Sequence, residues 1–420
     1  IAYGANEIAI GALSIVMPLQ TLIFAVGLMI GMGSASVFSR AYGRDDPQTM
    51  KRVVNAALFF NGLLSLLIMG VGFIFLDELL IFFGATTSNI GYAKDYMFYI
   101  VLSLVPFTSA IVLNNLTRAE GRAKVAMISL LIGAFSNIIL DPIFIFDFGF
   151  GLGVKGAAIA TLFSKVIMFS YILSQSLSKK SILKINLSSL YLFDAQMIKE
   201  TVIIGLPTFV RNSMMAFVTI AVHHLINQYA NGDPAIYISV YGVINRIIVM
   251  LLLPGFGLVQ GMIPIVGFNF GARKYNRVYD TVKLSARFLM TYFVISAILM
   301  LLFPEPLFKM FTKENDAQFI AIGVTAFRWI PIGFLILAFQ FIMSSVYQAV
   351  GYPVRAFLIA LSRQMIIFIP LVYILTPMFG ILGIWLTYAI SDALSGLISF
   401  GFYRFEMRSF KQLSLMNENE

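Results

Sequence analysis

The sequence predicts an all-α polytopic membrane protein built from two pseudo-symmetric six-helix lobes. Three observations carry the prediction. The 420 residues are 59% hydrophobic and only 12% charged, with a mean hydropathy of +0.89, whereas soluble domains carry about 25% charge. Eleven runs reach or exceed the roughly 20 apolar residues that a bilayer requires. Landmark residues recur at a shift near 228, the mark of an internal repeat.

In chain order the spans fall at 8–39, 53–76, 94–117, 123–147, 154–178, 197–230, 235–268, 280–303, 316–350, 354–376 and 380–405. The first carries Gly27, Gly31 and Ala35 on one face, a stripe against which another helix can pack closely. The fifth follows Gly151-x-Gly153-x-x-Gly156. That spacing spells a dinucleotide fingerprint, but the fingerprint needs a preceding strand, and here it joins two membrane helices. It reads as a tight outer turn leading into a small-residue face of Gly153, Ala157, Ala160, Thr161 and Ser164. Pro254, followed by Gly255, Gly257 and Gly261, marks a bend or a close approach in the seventh span.

The repeat sets the domain organisation. Gly153-x-x-Gly156-x7-Ser164 recurs as Gly380-x-x-Gly383-x7-Ser391, Pro142 as Pro370, Tyr42-Gly43 as Phe270-Gly271, and Arg118-Ala-Glu-Gly121 loosely as Gln348-Ala-Val-Gly351. Partners fall on the same side of the membrane, so the repeats are parallel. The expected domains are an N-terminal lobe over 1–178, a cytoplasmic linker over 179–196 and a C-terminal lobe over 197–420. The N-lobe counterpart of the 197–230 span would precede Ile1. The intact protein is therefore expected to have twelve helices, with the first missing here. The loops around 40–52, 118–124, 179–199, 273–287, 355–363 and 404–411 hold 21 of the 29 basic residues, whereas the alternate loops hold Lys94, Lys155, Lys309 and Lys313. The positive-inside rule makes the first set, and the C-terminus, cytoplasmic. Ile1 then lies outside.

Several function classes fall away. The net charge of +9 is dispersed over short loops, so no nucleic-acid surface is expected. There is no cysteine, and the two histidines, His223 and His224, are adjacent and diverge on a helix, which is poor metal geometry. No nucleophile–base set suggests an enzyme, and no filter motif suggests a channel. No cofactor is expected.

The polar candidates lie inside the spans. Asn137-Ile-Ile-Leu-Asp141-Pro142 sits in an apolar run, 126–146, with Asp141 its one acidic residue. Asn137 and Asp141 share a helical face. A carboxylate in hydrocarbon costs roughly 2.5–3.5 kcal/mol on insertion scales and defaults to function; the pair reads as an ion or proton site. The other reading is a helix-end aspartate, with Pro142 opening the exit into the next loop. Lys165 and Asp392 occupy repeat-equivalent positions and, with Arg211, Arg246 and Arg328, form either the charged lining of a cavity or local pairs. The 40 Phe, 21 Met and 18 Tyr suit a cavity for varied apolar cations wherever they line one.

Together the chain resembles the multidrug and toxic compound extrusion (MATE) family. The matching features are Tyr42-Gly43 after a glycine-rich helix, Arg118-Ala-Glu-Gly121, Asn137-x-x-x-Asp141-Pro142, Gly151-x-Gly153-x-x-Gly156-Ala-Ala-x-Ala-Thr161, Gly205-Leu-Pro207-Thr, and Pro264-x-x-Gly267-Phe-Asn-Phe-Gly271-Ala. The resemblance implies a monomeric plasma-membrane antiporter that exports organic cations and drugs in exchange for Na⁺ or H⁺. It implies an N-lobe cation site to which Asn137, Asp141 and Thr161 correspond, with Na⁺ at Asp141 as the one metal to expect. The family's first-helix aspartate would fall in the missing segment. A lipid-linked oligosaccharide flippase of related architecture is the rival; it would need Arg211, Arg246 and Arg328 to converge on a cationic cavity.

Overall fold

The computed structural model describes residues 7–83, 85, 90–185, 194–312 and 316–417, and side chains from Val16 onward. Ile1, Lys313 and residues 186–193 of the 179–196 linker lie outside the described residues. Every regular element among the described residues is a helix. The first half holds α1 (Glu7–Gly43), α2 (Pro47–Ile74), α3 (Leu76–Phe82), α4 (Ile90–Leu102), α5 (Leu104–Ala119), α6 (Ala123–Ile145) and α7 (Gly153–Ser176). Then come α8 (Ala195–Tyr229), α9 (Pro234–Gly271), α10 (Tyr275–Leu302), α11 (Pro304–Lys309), α12 (Ala317–Val350), α13 (Pro353–Leu361), a π-helical stretch (Ser362–Phe368), α14 (Ile369–Phe379) and α15 (Ile381–Asn417). Ten spans are long and apolar enough to cross a membrane, or eleven when α4 and α5 count as one.

Local chemistry sets the helix starts. Asp46 accepts from the Thr49 amide at 3.0 Å, with Pro47 opening α2; Asp233 and Asp316 cap α9 and α12 in the same way. An acceptor at the cap satisfies orphan amides, and proline loses nothing at the first helical position.

The repeat is visible in the backbone itself. Asp45 and Arg273 both take positive φ, at 55° and 57°, as do Gly121 and Gly351, at 89° and 85°, and Gly153 and Gly380, at 53° and 61°. A Cβ on Gly156 would lie 2.2 Å from the Phe144 carbonyl oxygen, and one on Gly383 2.3 Å from that of Leu375. The same turn therefore closes twice, with glycine required at the same contact.

Two spans expected to be regular are not. The 94–117 span is α4 and α5, bent by 46° at Ser103. The cause is Pro106, whose ring crowds the Leu102 carbonyl and whose missing N–H leaves it unbonded. The 354–376 span contains the π stretch just before Pro370, where an inserted residue absorbs the same lost bond. By contrast α6 passes through Pro142 and continues to Ile145, so the reading of Pro142 as the start of the exit is corrected: Asp141 stands inside the helix. Arg363, counted from the sequence as a loop residue, is corrected too. It lies within the π stretch, its side chain 15% exposed.

The chain divides into two compact units, Ile1–Asn212 and Ser213–Glu420, with the boundary inside α8. In the first, α1, α2, α5 and the first half of α8 share a core that includes Ile30, Phe38, Val54, Val112, Leu116 and Ile204. Here α1 and α8 touch backbone to backbone: a Cβ on Gly33 would sit 1.9 Å from the Thr201 oxygen, and one on Gly205 1.9 Å from that of Met29. In the second, α12 is the central helix, and Phe293 of α10 packs on Phe334 and Phe341 with ring centroids 5.8 and 5.6 Å apart.

Candidate functional site

On α6 the buried residues Ala126, Ser129 and Ile145 mark one stripe, and Gly133, Asn137 and Asp141 complete it at helical spacing. Phe135, Ile138 and Ile139 on the opposite side are exposed, as lipid-facing residues are. Asn137 and Asp141 are half-buried, and the Asn137 Nδ2 donates to Asp141 Oδ1 at 3.1 Å. With its amide bonded to the carboxylate, Asn137 keeps its carbonyl oxygen for a third party. Pro142 also removes the donor that the Ile138 carbonyl would take in a regular helix.

Two further residues belong to this cluster. Tyr96 of α4, 9% exposed, has its hydroxyl within hydrogen-bonding reach of Thr161 on α7 and within the electrostatic field of Asp141. Gln20 of α1 donates from Nε2 to the Tyr96 hydroxyl at 3.2 Å. Four helices of one unit thus converge, and the structure brings together Asn137, Asp141 and, through Tyr96, Thr161. Tyr96 gave no signal among 18 tyrosines. Gln20 could have been noticed as an amide in an otherwise apolar run.

The other charged candidates separate. Lys165 of α7 stands one turn from Thr161. Its ammonium lies 3.3 Å from the Ser103 hydroxyl and 4.3 Å from the Phe107 ring centre. The partners are a hydroxyl at the α4–α5 break and an aromatic face, a cation–π contact. Asp392 of α15, 1% exposed, is held by Arg363, whose Nε donates to Oδ1 at 2.6 Å and whose second guanidinium nitrogen donates to Oδ2 at 3.2 Å. Of the readings left open for Asp392, cavity lining or local pair, the structure shows a local pair, made with Arg363 rather than with any of the charged residues singled out from the sequence. Beside this pair the hydroxyls of Tyr241 and Tyr388 meet at 2.8 Å. Arg211 is half-buried on α8, and Arg246 and Arg328 are exposed on α9 and α12. His223 packs edge-on against the Tyr241 ring, 5.6 Å between centres. Among the described residues no group of three or more His, Asp or Glu could hold a metal.

The Arg118-Ala-Glu-Gly121 motif also acquires a task. Glu120 accepts from the Ser181 hydroxyl at 2.8 Å and the Ile182 amide at 2.9 Å and pairs with Arg122 at 3.2 Å. Arg122 in turn donates to the Gln175 carbonyl at 3.0 Å. The motif ties the start of α6 to the end of α7. Outside the spans, the hydrogen bond from Arg52 at 2.8 Å holds the Asp194 carboxyl below its usual range, and the Thr49 hydrogen bond does the same for Asp46.

Two repeated halves of membrane helices, with a polar cluster buried in the first, define a transporter-like fold. The chain matches the MatE family over residues 2–143 and 207–374. It belongs to that family, a transporter family. Among its relatives, the multidrug export protein MepA of Staphylococcus aureus (strain MSSA476) is 26% identical over 92% of this chain and 84% of that protein. MepA of Staphylococcus haemolyticus (strain JCSC1435) is 26% identical over 94% and 85%. Among solved structures, an outward-facing multidrug resistance MATE family transporter of the MOP superfamily superposes with a TM-score of 0.89 at 21% identity, over 97% of this chain and 90% of that one. A MOP superfamily transporter from Pyrococcus furiosus, described as having a binding pocket of reverse polarity, gives 0.89 at 22% identity over 97% and 89%.

Proposed function

We propose that the protein is a secondary active antiporter of the plasma membrane that exports organic cations and drugs, drawing on a gradient of Na⁺ or H⁺ through Asp141. The observation that carries the coupling half is the convergence of Asp141, Asn137, Tyr96 and Thr161 in the first unit. In this reading Asp141 supplies the charge, and Asn137 and Thr161 supply neutral oxygens to Na⁺. Alternatively Asp141 alone carries a proton. The positions at a shift of 228 in the second half are Met365 and Ile369, which can do neither, so coupling is confined to the first lobe. An ion drives transport only if its affinity differs between the two access states; Tyr96 lies on α4, which meets α5 at the 46° bend. The export half rests on family membership and on relatives named multidrug export proteins.

The lobes in this proposal are 1–178 and 197–420, the C-terminus is cytoplasmic, and the working unit is a monomer without a cofactor. The one second reading is transport of a lipid-linked oligosaccharide, for which Arg211, Arg246 and Arg328 would have to converge on one cationic cavity; Arg246 and Arg328 are exposed on α9 and α12. The test is transport of a fluorescent organic cation by the protein in vesicles, with Na⁺ and H⁺ gradients imposed separately. Uptake under one gradient supports the proposal. No uptake under either, with movement of a lipid-linked sugar instead, would replace it.

A further inference from the structure

From the groove at the basic end of the second unit we infer that the chain holds an anionic phospholipid there, with its phosphate on Arg355 and one acyl chain against α15. A cavity of about 530 Å³ is lined by Tyr347, Arg355, Ile398, Gly401, Phe402 and Phe405. It lies wholly within one unit, between the end of α12, the start of α13 and the second half of α15. Three observations point to this occupant. First, the walls are aromatic and aliphatic, and Ile398, Phe402 and Phe405 are 46%, 40% and 63% exposed. They continue the exposed stripe of Ile390, Leu394 and Leu397 along a membrane-crossing helix, a surface that only lipid can cover as a matter of course. From Ile398 to Phe405 the trough runs about 10 Å along the helix, long enough to seat part of an acyl chain.

Second, the floor is Gly401, beside which no atom comes within 4 Å of the place a Cβ would take. Glycine in mid-helix lowers stability by roughly 0.5–1 kcal/mol relative to alanine, and no neighbouring backbone requires it here. Third, the mouth carries a cation in a prepared posture. The Arg355 guanidinium lies over the rings of Tyr347 and Tyr352, 5.6 and 5.0 Å away, and gives one N–H to Glu406 at 2.7 Å. It is nevertheless half-exposed, and guanidinium has five N–H donors, a fork suited to phosphate. Arg408 follows one turn after Phe405 on the same face. The first unit makes the corresponding tie with Arg122 on Gln175, but there the guanidinium side chain is only 19% exposed. Arg355 is thus free to reach outward where Arg122 is not. This inference rests on the chain crossing a bilayer, not on what it transports.

The test is photo-crosslinking in vesicles. The purified full chain is reconstituted with a diazirine-tailed phosphatidylglycerol or with the same probe on phosphatidylethanolamine, and labelled peptides are mapped by mass spectrometry. The expected result is labelling of the 398–405 segment, about fivefold stronger with the anionic probe, the preference that one basic side chain confers at a membrane surface. Gly401→Phe fills the trough and should cut labelling about tenfold, while Gly401→Ala leaves it nearly intact. Arg355→Gln should equalise the two probes, since Tyr347 still donates to Glu406 at 3.1 Å and keeps that carboxylate bonded. Equal labelling by both lipids in the parent would overturn the inference, as would labelling unchanged in Gly401→Phe. Gradient-driven transport measured alongside is independent of these outcomes.

Discussion

Replacing Asp392 with Asn should be among the most damaging single changes in the second unit. The carboxylate is 1% exposed and receives two N–H bonds from Arg363, at 2.6 and 3.2 Å. Asn keeps the shape and one acceptor but leaves the guanidinium charge buried without a counterion. Breaking a buried pair from one side costs roughly 3–5 kcal/mol. For a unit of this size each kcal/mol moves the midpoint by about 2–4 °C, so the expected fall is on the order of 10 °C. The readout is thermal unfolding in detergent followed by the fluorescence of Trp385, itself 1% exposed and two turns from Asp392 on α15. Asp392→Asn combined with Arg363→Gln removes both charges and should recover much of the loss. A larger apolar pair is a poorer control, because a Cβ on Gly333 would already lie 2.4 Å from the Asp392 Cβ and there is no room for branching. A shift below about 2 °C, or a double variant no better than the singles, would refute the reasoning.

Gly33→Ala drives a methyl into the Thr201 carbonyl and should cost at least the roughly 1–3 kcal/mol of ordinary overpacking; an unchanged melting temperature would show that α1 and α8 do not cross this closely. Glu120→Gln keeps acceptors for Ser181 and Ile182 but loses the charge opposite Arg122, so it should cost less than Glu120→Ala, which orphans all three; equal melting temperatures would contradict this. The lowered Asp194 carboxyl contributes stability above its unfolded value near 3.9, and that contribution is lost as pH falls through the lower folded value. Asp194→Asn should therefore cost more stability at pH 6 than at pH 3, and an equal loss at both would deny the Arg52 pairing.

Much of the architecture was legible because lipid imposes a simple rule: a spanning helix must be long and apolar. Each span read from the sequence has its helical counterpart, and the repeat landmarks fall where the backbone repeats, at Gly121 and Gly351 and at Gly153 and Gly380. What hydropathy cannot encode is direction. Pro106, Pro142 and Pro370 are equally visible in the sequence, yet one follows a 46° break, one lies within a helix that continues past it and one is preceded by a π stretch. Which occurs depends on the neighbours that re-satisfy the freed carbonyl. The candidate site was half legible for a related reason. Asn137 and Asp141 lie on one helix, so their spacing shows the pair, whereas Tyr96 and Gln20 arrive from other helices. Arg363 was misplaced because a basic residue near a helix start looks like loop until its carboxylate is seen.

The coupling proposal stands or falls on Asp141. Asp141→Asn keeps the volume and the Asn137 contact while removing the charge. The most direct measurement is export of a fluorescent organic cation from vesicles by parent and variant, under Na⁺ and H⁺ gradients in turn, with folding checked by melting temperature. The account predicts that the variant folds like the parent and shows no gradient-driven export under the ion that drives the parent. Export by Asp141→Asn at the parent's rate would contradict it.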